Sequence, residues 1–439
     1  MPQDYDILIA GAGPAGCAAA YDLARAGRRV LLLDPRNFPR PKACACGLTR
    51  KTLKALRYSV EPIVERVCHE IVLQRATTPN TLPGATAAKS EEVRIHSRDP
   101  ICAMAVRERF DHFCLQQTLA QGAQLRKIES IAALREFPTH IELDIVVLDG
   151  NIQHIETLRA PALIGADGSN GQTRRLAEAL SHEPSSYTRG FALEALVPYV
   201  ALPAKLPGGD APHDLIFDFS SVPGGYGWLF PKGDHINIGV GAFAPALGDG
   251  KAVAEDGPPK GGAGGTEDRL KAVTRTLLAD YARHKLGIAQ LPNITGQHLG
   301  MGGHAYIPRG RVLLAGDAAG LVDPLTGEGI HSAIVSGQAA AAAILEVLNA
   351  ETSPATNLAA PCPDSGTWVS KQLATTYARH LAPLQQTLAF SHRAAQAFYI
   401  EPARGFRAMK LPFLRTLVLK TYADGLPHTK LLATLARFV

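Results

Sequence analysis

No stretch of the chain reaches the ~18 to 20 uninterrupted apolar residues of a membrane span, so an integral membrane protein is not expected. Met1 to Gly11 has no basic segment ahead of its apolar run and moves straight into a strand-like pattern. That argues against a secretory signal, and the expected location is the cytoplasm. Charged residues make up only 19% of the chain, and the net charge of +5 is spread along it. Charge therefore gives nucleic-acid binding no support. The cysteines, Cys17, Cys44, Cys46, Cys68, Cys102, Cys114 and Cys362, are odd in number and scattered, which argues against a disulfide framework. No Cys/His pair at zinc-like spacing follows Cys44 and Cys46, so no metal site is expected. Internal repeats are absent too. What is present is a globular composition, 46% hydrophobic, in 439 residues, enough for two or three domains.

Asp6 to Ala10 is a short apolar run, followed by Gly11-Ala-Gly-Pro-Ala-Gly16 and an alanine-rich helical stretch through Arg25. This reads as strand, turn, helix. Gly11 permits the tight turn, Gly13 lets backbone approach a pyrophosphate, and Gly16 lets the helix pack closely on the strand. The helix N-terminus offers free N–H groups and a positive dipole end to the phosphates. A second strand, Arg29 to Leu33, ends in Asp34, about 20 residues beyond the glycines, where an acid accepts hydrogen bonds from a ribose. The expected contacts are Gly11, Gly13, Ala15, Gly16 and Asp34. The alternative is an ordinary strand–helix turn, and the motif alone does not separate NAD from FAD.

Two later motifs make that separation. Leu163-Ile-Gly-Ala-Asp-Gly-Ser169 ends a short apolar strand in a glycine-bracketed aspartate, followed by Arg174 and Arg175. Val312-Leu-Leu-Ala-Gly-Asp-Ala-Ala-Gly320 repeats the pattern and leads through Asp323-Pro-Leu-Thr-Gly-Glu-Gly-Ile330 into an alanine-rich helix running to about Leu348. Either alone reads equally as a plain turn. Thr326 is the expected N-cap of that helix, and Gly327 and Gly329 strip side chains from the turn. Bare N–H groups there favour anionic charge by about 0.3 to 2 kcal/mol, which suits a reduced flavin.

The order of the three motifs resembles the FAD-binding pattern of the glutathione-reductase-type flavoproteins. The resemblance implies that Gly316 and Asp317 meet the ribityl chain, that Asp167 and Gly168 support the flavin-binding turn, and that Gly327, Gly329 and Ile330 lie at the cofactor. Arg107, in Val106-Arg-Glu-Arg-Phe-Asp111, matches an arginine that reaches the cofactor from a helix start. Pro223-Gly-Gly-Tyr-Gly-Trp-Leu-Phe-Pro-Lys232 looks like the P-x-x-Y-x-W-x-F-P signature of the geranylgeranyl reductase family. Gly320 stands where aromatic hydroxylases of the clan usually show histidine. Pro41-Lys-Ala-Cys-Ala-Cys-Gly-Leu48 resembles that family's K-x-C-G-G-G-L loop beside the flavin, with Cys44 as the implied catalytic residue. Ala45 and Cys46 replace glycines there, which restricts positive-φ conformations.

Tyr226, Trp228 and Phe230 recur with period two, so a strand points all three to one face. That face is either an ordinary core surface or the wall of a substrate pocket; the family resemblance implies the pocket. The expected fold class is α/β, a Rossmann-type FAD-binding domain with an inserted β-rich substrate domain and a C-terminal helical region. Residues 1–70, 101–185 and 291–350 read as the FAD domain, 71–100 and 186–290 as the substrate domain, and 351–439 as the helical region. Ile71 to Leu73, Leu215 to Phe219 and His235 to Val240 are expected strands of a sheet over the flavin. Ala246 to Glu267 reads as a Gly/Pro-rich surface insertion and Glu351 to Gly366 as a linker. Ser370 to Val439 is helical and basic, either packing on the core or offering an amphipathic face for peripheral membrane contact.

The family resemblance implies an FAD-dependent oxidoreductase that reduces C=C bonds of an isoprenoid or similar apolar substrate. One alternative is a monooxygenase that hydroxylates an aromatic ring, in a small molecule or a tryptophan of a partner polypeptide. Another is a non-catalytic prenyl-binding protein. A second G-x-G-x-x-G after a strand is missing, so NAD(P)H would bind without its own nucleotide domain, or ferredoxin would serve as donor.

Overall fold

The computed structural model describes residues 5–76, 90–181, 186–207, 211–242, 263–351 and 365–425. A five-stranded sheet, all parallel, has the order β18 (Val312–Leu314), β12 (Ala162–Gly165), β1 (Ile7–Ala10), β2 (Val30–Asp34), β8 (Gln124–Lys127). Every residue of β1, β2 and β12 is buried, as the strands of a parallel sheet covered on both faces must be. Helices α1 (Pro14–Arg25), α3 (Arg107–Ala120) and α6 (Ile330–Glu351) pack together beside the sheet, with α7 (Ser365–Ile400) outside α6. Two shorter helices, α2 (Arg50–Ala55) and α4 (Thr173–Ser181), complete this half.

Glycine sets how closely these layers approach. A Cβ on Gly16 would lie 1.9 Å from the Gly11 carbonyl oxygen, and one on Gly337 in α6 would lie 2.2 Å from the Ala15 carbonyl. α6 is long and apolar enough by composition to cross a membrane over Ile330–Ala350, but 56% of that segment is buried inside the protein, against α1 and α7.

The second large sheet has seven strands in the order β17 (Thr295–Met301), β13 (Thr188–Pro198), β16 (His235–Ala242), β15 (Gly225–Pro231), β14 (Leu215–Asp218), β5 (Glu70–Ala76), β6 (Ser90–His96). It is antiparallel except for β14 on β5. The three expected strands are β5, β14 and β16. One face buries Ile236, Ile238 and Val240 against α5 (Ala263–Leu286), and the other carries the aromatic stripe under α8 (Pro402–Ala408) and α9 (Pro412–Asp424). Two three-stranded antiparallel sheets remain: β3 (Gly47–Thr49), β7 (Cys102–Ala105) and β4 (Val64–Cys68), and β9 (Ser130–Glu136), β10 (Ile141–Asp149) and β11 (Ile152–Ala160). The chain is thus α/β, with a Rossmann-type parallel sheet, a second β-rich layer and a helical C-terminal region.

Three local expectations change. The Gly/Pro-rich stretch lies outside the described residues up to 262, and from Ala263 the chain is already helical. The linker lies outside them over 352–364, with Glu351 ending α6 and Ser365 opening α7. Thr326 is not the N-cap of α6, which starts at Ile330. The Asp323 carboxylate accepts the Leu325 and Thr326 N–H groups, Thr326 Oγ1 accepts Glu328 N–H, and Gly327 turns the chain at φ +68°. Only Gly329 O takes up helical bonding, to Ala333 N–H. We propose the expected division into FAD, substrate and helical units with one boundary moved to follow Met301, because β17 pairs with β13.

Gly337→Val should destabilise the fold by about 1–3 kcal/mol or more, because its side chain must force α6 off the α1 backbone. Thermal unfolding checks this; an unchanged midpoint contradicts it.

Candidate functional site

The β1–α1 turn brings Gly11, Gly13, Ala15 and Gly16 to the C-terminal edge of the parallel sheet. Gly11 adopts φ +97°, and a Cβ there would strike the Ala166 carbonyl at 2.3 Å. Gly13, the N-cap of α1, has no side-chain cap, and the nearest atom to a Cβ built on it is Arg40 Nη2 at 3.5 Å. Gly11 and Gly16 are therefore fixed by the protein's own backbone, whereas Gly13 opens toward a cationic side chain. Asp34 is buried at the end of β2, with one carboxylate oxygen accepting Ala12 N–H and the other Arg36 N–H, each at 2.9 Å. It holds the glycine turn itself, and each oxygen keeps a lone pair for a further donor.

Beside this turn sits a cluster of cations. Arg107, the first residue of α3, donates from Nε to Asp111 at 2.7 Å, and Arg40 lies 3.3 Å from the other Asp111 oxygen. Lys42 is held below its usual pKa first by burial, then by Arg107, while Asp317 and Asp111 oppose the shift. Three cations thus face two carboxylates, and Arg40 Nε is buried without a hydrogen-bond partner. This excess of positive charge, next to an open glycine at a helix N-terminus, fits a diphosphate.

Asp167 turns inward, accepting the Thr173 N–H at 2.9 Å and the Thr173 hydroxyl at the start of α4. Burial raises its pKa. Gly168 takes φ +80° beside it. Asp167 thus braces the loop under Gly11. Gly316, at φ +59°, donates its N–H to Ser336 Oγ of α6 at 2.9 Å. Asp317 is half-buried, its Oδ1 3.3 Å from where a Gly329 Cβ would stand. Gly327, Gly329 and Ile330 follow. Glu328 between them accepts hydrogen bonds from the Thr49 and Thr52 hydroxyls at 3.1 Å and pairs with Lys51 at 2.6 Å. Burial opposes its ionisation, but Lys51 and His331 outweigh that and hold it below the usual carboxylate range.

The Cys44 loop joins the two halves. Cys46 adopts φ +47°, so the loop makes its left-handed turn without the expected glycine, at a cost of about 1–3 kcal/mol. The buried Lys232, next after the β15 motif, compensates by donating to the backbone carbonyls of Ala45 and Ala105, with Cys46 O 3.4 Å away. Cys44 N–H donates to the Glu194 carboxylate at 2.7 Å, and Cys44 Sγ accepts Cys46 N–H at 3.3 Å. The Cys46 hydrogen bond, aided by Arg107 and opposed by burial, draws the Cys44 thiol well below its usual pKa. Among the described cysteines, all free, Cys44 alone is not fully buried.

Tyr226, Trp228 and Phe230 do share one face of β15, and all three are buried. Their rings meet Phe217 and Phe219 of the neighbouring segment, and Phe398, Phe406 and Tyr422 of the C-terminal helices pack on the same cluster. Tyr226 donates its hydroxyl to Thr326 O, tying the stripe to the loop before α6. Trp228 Nε1 donates to Asn237 Oδ1 at 2.7 Å. Sequence reasoning missed Glu194, Lys232, Asn237 and the Arg40–Lys42 pair. A single acid within the apolar run Phe191-Ala-Leu-Glu-Ala-Leu-Val197 was the legible sign of the first.

Gly13→Val should leave the apoprotein's unfolding midpoint near that of the wild type but abolish flavin binding, because its side chain has room in the fold and fills the open cradle. Absorbance of protein reconstituted with excess FAD reads the outcome; full occupancy contradicts it.

Comparison with known proteins gives the same direction. Residues 4–203 match the model of the FAD binding domain family. A menaquinone reductase from Mycolicibacterium smegmatis is 31% identical over 356 residues, 78% of this chain and 76% of that protein. Digeranylgeranylglycerophospholipid reductase 3 from Methanosphaera stadtmanae is 28% identical over 77% and 76% of the two chains. The crystal structure of a geranylgeranyl bacteriochlorophyll reductase-like protein from Thermoplasma acidophilum superposes with a TM-score of 0.68 at 18% identity, covering 98% of each chain. The three nucleotide motifs in order, the Tyr226–Phe230 signature and these relatives together make the chain a member of the geranylgeranyl reductase family of FAD-dependent oxidoreductases.

Proposed function

We propose that the protein reduces C=C bonds of an isoprenoid or similarly apolar chain, acting in the cytoplasm with peripheral access to a membrane surface. The observation that carries this reading is the row of paired residues Phe217, Trp228, Gly239 and Glu194 across the seven-stranded sheet, which runs from an aromatic wall to the Cys44 loop. An apolar chain lies along the wall, and its reacting bond reaches the loop. Relatives named for a menaquinone and for a digeranylgeranylglycerophospholipid support an apolar substrate.

FAD, when bound and reduced, supplies the hydride equivalent for such chemistry. The residues proposed to hold it are Gly11, Gly13, Ala15, Gly16 and Asp34 at the nucleotide end, with Arg107 beside Arg40 and Lys42 at the diphosphate. Asp317, Gly316, Gly327, Gly329 and Ile330 take the flavin end, and Asp167 and Gly168 brace the turn. Tyr226, Trp228 and Phe230 orient the substrate and exclude water, and Cys44 lies at the reacting end. α8 and α9 close the wall and must yield for substrate to enter. The exposed Leu411, Phe413 and Val418, flanked by Lys410 and Lys420, give their outer side an apolar and basic surface suited to an anionic bilayer. The electron donor, NAD(P)H or ferredoxin, acts transiently.

Under strictly anaerobic conditions with a chemical reductant, a prenyl substrate should gain two hydrogens per reduced bond. Product mass reads this directly. An oxygen atom added to an aromatic ring only when air is admitted, with no prenyl reduction, overturns the proposal in favour of hydroxylation. Trp228→Ala should lower kcat/KM for the prenyl substrate by about 100-fold or more, from the ~3 to 5 kcal/mol of a lost buried aromatic contact, with FAD content retained.

A further inference from the structure

Glu194 occupies a position the nucleotide motifs and the aromatic signature leave unexplained. It is 6% exposed, in the middle of β13, and its carboxylate accepts the Cys44 N–H at 2.7 Å. Across the sheet its neighbour is Gly239, and beyond that Trp228. A Cβ on Gly239 would lie 2.0 Å from Trp228 Cζ2, so the indole spreads over the bare glycine toward Glu194. Asn237, which accepts the indole N–H, also lies beside Glu194. The carboxyl group therefore stands where the aromatic wall ends and the Cys44 loop begins.

Its charged and titratable neighbours are few. Cys44 faces it from the loop and Lys232 from the end of β15, while Cys46 and, from the start of α3, Arg107 reach Cys44. Burial, then the negative charge of Cys44, push the Glu194 carboxyl up to about 7, against Asn237, the Cys44 N–H and Lys232. Cys44 moves the opposite way, while its hydrogen-bond partner Cys46 rises. The charge on Cys44 thus opposes ionisation of the neighbouring Glu194 carboxyl.

We propose that Glu194 and Cys44 form an acid–thiol pair in which Glu194 is the proton source of the reduction. This rests on the reductase reading. FAD, reduced by an external donor, would supply hydride to one alkene carbon. The π electron pair takes the proton at the other carbon no later than that transfer, the Glu194 O–H bond breaks with its electrons left on the carboxylate, and water returns the proton. The Cys44 charge keeps that proton on Glu194 until substrate takes it.

The pair is tested without substrate, by the pH dependence of Cys44 alkylation with iodoacetamide in the full-length protein, located by peptide mass spectrometry. The wild type should follow two ionisations, one near pH 7. Glu194→Gln should lose the ionisation near pH 7 and follow a single one at lower pH, and Glu194→Asp should restore two. Superimposable wild-type and Glu194→Gln profiles, with unfolding midpoints showing both folded, overturn the pair. In turnover, Glu194→Gln should slow prenyl reduction about 100-fold while FAD content and reduction of the bound flavin by dithionite stay as in the wild type. Undiminished turnover overturns the proton-source role. If the wild type reduces no prenyl compound, the reductase reading falls with that role, and the titration still decides the pair.

Discussion

The arrangement depends on one buried ammonium group. Lys232 is 1% exposed and spends its charge on backbone carbonyls, donating to Ala45 and Ala105 and approaching Cys46. Burial lowers its pKa, while the nearby cysteines and Glu194 work to keep it charged. A buried cation is costly unless its donors are satisfied. Here its bonds fasten the end of β15 to the Cys44 loop and to β7. The aromatic wall and the Cys44 loop are thereby fixed to one another by a side chain that begins in one and ends in the other.

Around that fastening the two large sheets divide the chemistry. In the first glycine turn of the parallel sheet Gly11 and Gly16 are set by backbone against backbone, and Gly13 faces an opening. The cations Arg40, Lys42 and Arg107 gather there with too few carboxylates to balance them, a state that a bound diphosphate would relieve. The antiparallel sheet answers with rings on one face, interrupted at Gly239 so that Trp228 can lie flat and Glu194 can be reached. Tyr226 and Thr326, and Lys51 and Glu328, add cross-links between the aromatic sheet, α2 and the loop before α6.

Much of this was legible in the sequence because the relevant constraints are local. A glycine that must touch backbone and an aromatic stripe of period two carry their reason within a few residues, so the β1–α1 turn and the face shared by Tyr226, Trp228 and Phe230 were readable. The start of α6 was misplaced because Asp323, three residues earlier, captures the N–H groups that Thr326 was expected to leave for the helix. The turn at Cys46 was expected to be hindered, yet it forms, because Lys232, 186 residues away, supports it. Glu194 shares that reason. Its role depends on Gly239, Trp228 and Cys44, which are distant in the chain and adjacent only after the sheet has paired.

The Cys44 loop, held by Lys232 and Glu194, is expected to lie over the bound cofactor at the head of the aromatic wall. The most direct measurement is the alkylation rate of Cys44 in apoprotein titrated with FAD at constant pH, followed on the Cys44 peptide. The expected result is protection that rises in step with flavin occupancy and reaches at least tenfold at saturation. Full flavin occupancy with an unchanged Cys44 rate would contradict the claim, since the loop would then lie away from the cofactor.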